Sequence, residues 1–152
     1  MKALRNIITL AALIALPLTA MTAEPEKQPD AKIQKVVFEV VIDGAESWLG
    51  ALHNVENVQK TLGATTTTLK VVAHGKGIGM LLAKNADANP ELKATLEKLH
   101  AIGVVFSVCE NTMNKMQINK DQLVPLATTV DSGVSEVIRK QEAGYAYIKS
   151  GG

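Results

Sequence analysis

Lys35-Val-Val-Phe-Glu-Val-Val-Ile42 is a short, almost unbroken run of β-branched and aromatic residues. Its length and composition predict a strand covered on both faces rather than an amphipathic one. Asp43-Gly44 closes it. The segment that follows places Trp48, Leu52, Val55, Val58 and Leu62 on one helical face and stops at Gly63, which predicts an amphipathic helix. A second strand, Thr67-Thr-Leu-Lys-Val-Val-Ala73, is closed by His74-Gly75, and a short helix is expected over Gly77 to Asn85. Asn89-Pro90-Glu91 reads as a cap, a first-turn proline and a first-turn acid ahead of Leu92, Leu96, Leu99 and Ile102 at helical spacing.

Gly103 then opens the run Val104 to Val108, a third strand that ends at Cys109. A short helix over Asn111 to Met116, a fourth strand over Leu126 to Val130, and a last helix capped by Asp131-Ser132-Gly133 complete the order. That last helix carries Val134, Val137, Ile138, Gln141 and Tyr145 on one side, with Tyr145 to Ile148 as an alternative fifth, edge strand. Strands alternating with helices require crossovers, and crossovers make parallel neighbours. The expected fold is therefore α/β: a flavodoxin-like parallel sheet of four to five strands with helices on both faces.

The N-terminus reads as an export signal over residues 1–23. Lys2 and Arg5 precede the apolar stretch Ile7 to Leu18, and Ala20-Met-Thr-Ala23 supplies small residues for cleavage. The stretch is shorter than a membrane span and is broken by Pro17, so no membrane association is expected after cleavage. Residues 24–32, with Pro25 and Pro29, form a polar leader, and residues 33–152 form one domain. The expected location is the periplasm. Loss of Lys2 and Arg5 lowers the basic count from 16 to 14 against 15 acidic residues; this near-neutral balance, with 3% aromatic residues, argues against a nucleic-acid partner. Cys109 is the sole cysteine, so no internal disulfide forms and packing must supply the stability.

In parallel α/β sheets ligands bind beyond the carboxyl ends of the strands, where the winding reverses. Those ends are Asp43-Gly44, His74-Gly75, Cys109-Glu110 and Asp131-Ser132-Gly133, which should gather on one edge. Cys109 at a strand-to-helix junction is the leading catalytic candidate, because N–H groups opening a helix favour the thiolate. The competing reading is an inert thiol packed in the core. The reactive reading requires a sulfur reachable from solvent at the mouth of the sheet. Glu110, if close, should oppose the thiolate. His74 is the second candidate, as base or neighbour, with Lys76 as a source of positive charge; a turn histidine bonded to backbone is its alternative. Hydrolysis fits poorly, since a cysteine hydrolase needs a base and an orienter and His74 alone is placed to help. Gly75-Lys-Gly77-Ile-Gly79 lacks the spacing of a phosphate-binding loop. His53, Asn54 and His100 fall on helices and suit surface or interface roles, and Trp48, Tyr145 and Tyr147 suit packing. Cys109, Met113 and Met116 form C-x3-M-x2-M, soft ligands that would select Cu(I), although methionine at helical spacing usually fills a core.

Taken together, the Val-rich first strand, Trp48-Leu-Gly-Ala-Leu-His-Asn54-Val-Glu-Asn57, Val-Val-Ala-His74-Gly75, Gly103-Val-Val-Phe-Ser-Val-Cys109-Glu-Asn-Thr112, Asp131-Ser132-Gly133-Val-Ser-Glu136 and Gly144-Tyr-Ala-Tyr-Ile148 resemble the DsrE/DsrF-like family. The resemblance implies a flavodoxin-like subunit forming homo-oligomers, commonly trimers or hexamers. It also implies that Cys109 corresponds to the cysteine which, in the sulfur-relay members, carries sulfur as a persulfide after the third strand. His74 matches the family's His-Gly turn. The export signal departs from those cytoplasmic relay proteins, so their partner subunits do not carry over. Three functions follow as expectations: a sulfur carrier or sulfurtransferase using Cys109 and His74 with a donor or acceptor protein and no cofactor; a non-enzymatic oligomeric binding module for a small ligand or Cu(I) at the same edge; and an oligomeric scaffold with a buried cysteine.

Overall fold

The computed structural model describes residues 33–150. The expected signal peptide and leader lie outside the described residues. Five strands form one wholly parallel sheet: β1 Gln34–Val40, β2 Thr67–Ala73, β3 Val105–Cys109, β4 Ala127–Val130 and β5 Ala146–Ser150, in the order β4-β3-β2-β1-β5. The chain steps steadily from β1 to β4 and then crosses back to set β5 against the free side of β1. β1 is thereby hydrogen-bonded on both sides, which is why its sequence reads as a buried strand.

The helices are α1 Ala45–Leu62, α2 Ala83–Ala88, α3 Pro90–Ala101, α4 Glu110–Met116 and α5 Gly133–Glu142. Alternation divides the sheet into two faces. Val36, Phe38 and Val40 of β1 pack with Leu69, Val71, Phe106 and Val108 against Leu52, Leu96, Leu99 and Met113 of the helices, forming the main core. The opposite face carries Val37 and Val72, covered by Val137 of α5 and flanked by Tyr145. Helices do lie on both faces, but unequally: α5 alone serves the second. Asn89 caps α3 as expected, its Oδ1 accepting from the Leu92 N–H at 3.0 Å. Among the described residues no helix is long and apolar enough to cross a membrane.

Two expectations are corrected. The helix expected over Gly77 to Asn85 is instead a 3₁₀ turn, Gly75–Leu81, followed by α2. The tighter turn runs directly over the end of β1, where a Cβ on Gly77 would lie 2.0 Å from the Val40 carbonyl oxygen and one on Gly79 would lie 2.5 Å from the Trp48 ring. Glycine is required for contact, which explains a glycine pattern with no phosphate-binding spacing. Tyr145 lies past the end of α5: Gly144 at φ +83 turns the chain, and the fifth strand forms.

Candidate functional site around Cys109

β3 delivers the chain to α4, whose Met113 enters the main core, whereas β4 delivers it to α5 on the opposite face. The winding therefore reverses between β3 and β4, and Cys109 stands at that reversal. It ends β3, caps α4 in an extended conformation, and directs its side chain toward the α5 face, where a Cβ built on Gly133 would lie 3.2 Å from its own.

Cys109 is buried, with 5% of the residue exposed, so the expectation of a sulfur freely reachable from solvent is not met. Its surroundings are nevertheless not hydrocarbon. Burial is the largest single influence and pushes the thiol pKa up, yet hydrogen bonds from the Thr112 hydroxyl and from the backbone N–H groups of Gly133, Thr112 and Asn111 outweigh it and hold the thiol below its ordinary range. The Thr112 Oγ1 accepts from the Gly75 N–H at 3.2 Å, which leaves its own proton available to the sulfur. The Asn111 N–H also meets the Asp131 carbonyl at 3.3 Å. That contact ties the loop after β3 to the loop after β4. The arrangement can stabilise a sulfur anion, either as attacking thiolate or as leaving group.

Glu110, expected to oppose the thiolate if close, turns away toward Thr129 Oγ1 at 2.6 Å and Lys120 Nζ at 2.9 Å. These contacts hold its carboxyl below the ordinary range. Lys76 is exposed.

His74 follows Ala73, the partner of Val108, and so stands beside Cys109 at the ends of neighbouring strands; a Cβ on Gly133 would be 2.9 Å from the His74 Cβ and 3.1 Å from its Cδ2. Cys109 and His74 thus share a neighbour, but the hydrogen bonds of the thiol do not include the imidazole. The ring Nε2 instead meets Glu39 Oε1 at 2.8 Å, and the second oxygen of Glu39 accepts from the Tyr147 hydroxyl. Burial works to raise the Glu39 pKa, but the hydrogen bonds from His74 and Tyr147 hold it below the ordinary value. The same hydrogen bond to Glu39 pushes the Tyr147 phenol up to about 12. Of the turn histidine bonded to backbone, the backbone part holds, with the His74 N–H on the Val40 carbonyl at 3.1 Å, while the ring belongs to a side-chain network.

The copper constellation does not assemble. Met113 is packed in the main core, Met116 is 49% exposed, and Cys109, on β3, faces the opposite side of the sheet, so the three sulfurs point in different directions. No group of three or more His, Cys, Asp or Glu side chains suited to a metal occurs among the described residues. His53, Asn54 and His100 are exposed on their helices, and Trp48 packs as expected, its Nε1 donating to the Ile42 carbonyl at 2.9 Å. A cavity of about 380 Å³ lined by Leu82, Met116, Ile118 and Gln122, and one of about 340 Å³ lined by Leu96, Leu123 and Asp121, include neither Cys109 nor His74.

Sequence reasoning missed Thr112 as a hydroxyl donor, Gly133 as a backbone donor and the pair Glu39 and Tyr147. For Glu39 a signal existed, since a carboxylate inside a buried strand needs a partner.

Fold and site together define a class: a parallel α/β subunit whose single cysteine ends the third strand and caps the helix that follows. The chain belongs to the DsrE/DsrF-like family, whose model matches residues 54–150. It is similar to a solved protein of unknown function, MTH1491 from Methanobacterium thermoautotrophicum, at 29% identity and a TM-score of 0.69 over 76% of this chain and 98% of that one. It also resembles the ychN protein from E. coli, with a TM-score of 0.64 over 77% of this chain and 99% of that one; at 15% identity that likeness bears on the fold alone. No curated protein matches the sequence.

Proposed function

We propose that this protein is a periplasmic sulfur carrier that accepts sulfane sulfur as a persulfide on Cys109. Family membership suggests a sulfur-relay-like role in general. The observation that carries the specific reading is a buried cysteine at the junction of β3 and α4, whose thiol the Thr112 hydroxyl and nearby backbone N–H groups hold below its ordinary pKa against the effect of burial. In the loading step the Cys109 thiolate attacks the terminal sulfur of a donor R–S–S⁻. A bond forms from Sγ to that sulfur, the donor S–S bond breaks, and R–S⁻ leaves with the bonding pair. In the reverse sense the same donors stabilise Cys109 as the leaving group when sulfur passes to an acceptor.

Because Cys109 is only 5% exposed, the first donor to use is small and linear. Intact mass of the protein after exposure to inorganic polysulfide is expected to show added sulfur on Cys109, reversed by a thiol reductant and absent in Cys109→Ser. Unmodified wild type after both inorganic polysulfide and a glutathione persulfide would remove the proposal. As the only cysteine, Cys109 gives an assignment free of competing thiols.

The carrier reading includes a homo-oligomer, a trimer or hexamer. Parallel sheets are normally covered on both faces, whereas here α5 alone covers one. On that face Val134 and Ile138 are 54% and 52% exposed and Val105 is 42% exposed. Sedimentation at micromolar concentration is expected to give a multimer that Val134→Asp with Ile138→Asp dissociates. A wild-type monomer would end this part of the reading.

A further inference from the structure

The hydrogen bonds of Glu39 determine more than the position of His74. An ionised carboxylate only accepts. Its Oε1 meets the imidazole Nε2 at 2.8 Å, and its other oxygen meets the Tyr147 hydroxyl. The ring nitrogen facing Glu39 must therefore carry a proton, and in the neutral imidazole the lone pair then resides on Nδ1. Both carboxylate oxygens are engaged, and the Glu39 and His74 side chains are 13% and 19% exposed, so water does not readily substitute at the Glu39–His74 contact. The three residues come from β1, the end of β2 and β5, joined by the central pairing in which β1 has β2 on one side and β5 on the other. His74 in turn packs against Gly133, whose N–H is one of the Cys109 donors.

We propose that Glu39 and Tyr147 are positioning residues that fix His74, the neighbour of Cys109, as the Nε2–H tautomer, leaving Nδ1 as the basic nitrogen of the ring. The structural claim stands on the hydrogen bonds alone; its consequence for sulfur transfer rests on the persulfide reading of Cys109. In Glu39→Ala the acceptor facing Nε2 is gone, so the proton is no longer held there and the ring is released to a mixture of its two tautomers. A residue with a merely structural role would leave the tautomer unchanged.

The test is nitrogen NMR of the imidazole ring in full-length protein, with His74 assigned by substitution and the pH set where the ring is neutral. Wild type is expected to show Nε2–H and Glu39→Ala a mixture of the two tautomers. Sulfur loading from polysulfide is expected to fall by about a hundredfold in Glu39→Ala, the low end of what general acid–base groups contribute, while the thiolate titration stays unchanged. A wild-type ring protonated on Nδ1 would overturn the proposal, as would a Glu39→Ala ring unchanged from wild type. The wild-type spectrum suffices even if a variant folds poorly. If wild type takes up no sulfur but the tautomers behave as described, the carrier reading fails and the positioning assignment survives.

Discussion

Gly77→Ala is expected to lower stability by about 3 kcal/mol or more, toward or beyond the top of the range for an overfilled core. The reason is the identity of the atoms in the way. The added methyl would lie 2.0 Å from the Val40 carbonyl oxygen, 2.5 Å from its carbon and 2.9 Å from the Val41 nitrogen. All three are backbone atoms at the end of β1, a strand held by ladders to β2 and β5, so the strand cannot yield. The 3₁₀ turn must move instead. Doing so withdraws Ile78, Met80 and Leu81, each fully buried, and strains the bonds from the His74 N–H to the Val40 carbonyl and from the Val124 N–H to the Leu81 carbonyl. A domain of this size has a total stability of about 5–15 kcal/mol, so the loss is a large fraction of it. Denaturant unfolding followed by circular dichroism should show the midpoint falling steeply. Gly50→Ala is the matched control: it lies within α1 with open space around its Cβ, and alanine there should raise stability by about 0.5–1 kcal/mol. A Gly77→Ala midpoint equal to wild type would refute the account of the turn.

That turn also shows where sequence reasoning reaches its limit. The strands were legible because burial on two faces demands continuous β-branched runs, and Asn89-Pro90-Glu91 was legible because a cap is written in adjacent residues. Gly75, Gly77 and Gly79 were visible as a pattern, but their purpose depends on what passes beneath them, and Val40 is distant in sequence. The same holds at the site. Cys109 and the donors opening α4 follow from one local rule about strand-to-helix junctions, whereas the Gly133 N–H arrives through the β4–α5 loop, and Tyr147 reaches Glu39 only because β5 crosses back to pair with β1. Periodicity fixes what an element is; it does not fix the order β4-β3-β2-β1-β5. The copper reading failed for a related reason, since spacing along a helix does not say which sulfur enters the core.

Gly133→Ala is expected to raise the Cys109 pKa. The methyl would meet His74 Cβ at 2.9 Å, His74 Cδ2 at 3.1 Å and Cys109 Cβ at 3.2 Å, so the first turn of α5 and the two side chains must separate. The helix has little freedom to retreat as a body. Its Glu136 is pinned to Lys70 of β2 at 2.8 Å, and Arg139 binds both Glu136 and Asp131. Separation is therefore taken up at the start of α5, where the Gly133 N–H leaves the sulfur. A hydrogen bond to a charged group contributes about 1.5–3 kcal/mol, and a pKa unit corresponds to about 1.36 kcal/mol. The sign for stability follows from the depressed native thiol. Its contribution is fully present above the thiol pKa of the unfolded chain and is lost as pH falls through the native value. The stability gap between wild type and Gly133→Ala should accordingly be widest in mild alkali and shrink on acidification, to the steric cost that remains once both thiols are neutral. Ultraviolet absorbance of the thiolate against pH measures the first effect without requiring reagent access, and denaturant unfolding at an acidic and an alkaline pH measures the second. Near neutral pH the smaller thiolate fraction should slow sulfur loading by up to about tenfold, because the anion is the attacking form. A titration curve superimposable on that of wild type would show that the Gly133 N–H does not hold the sulfur anion.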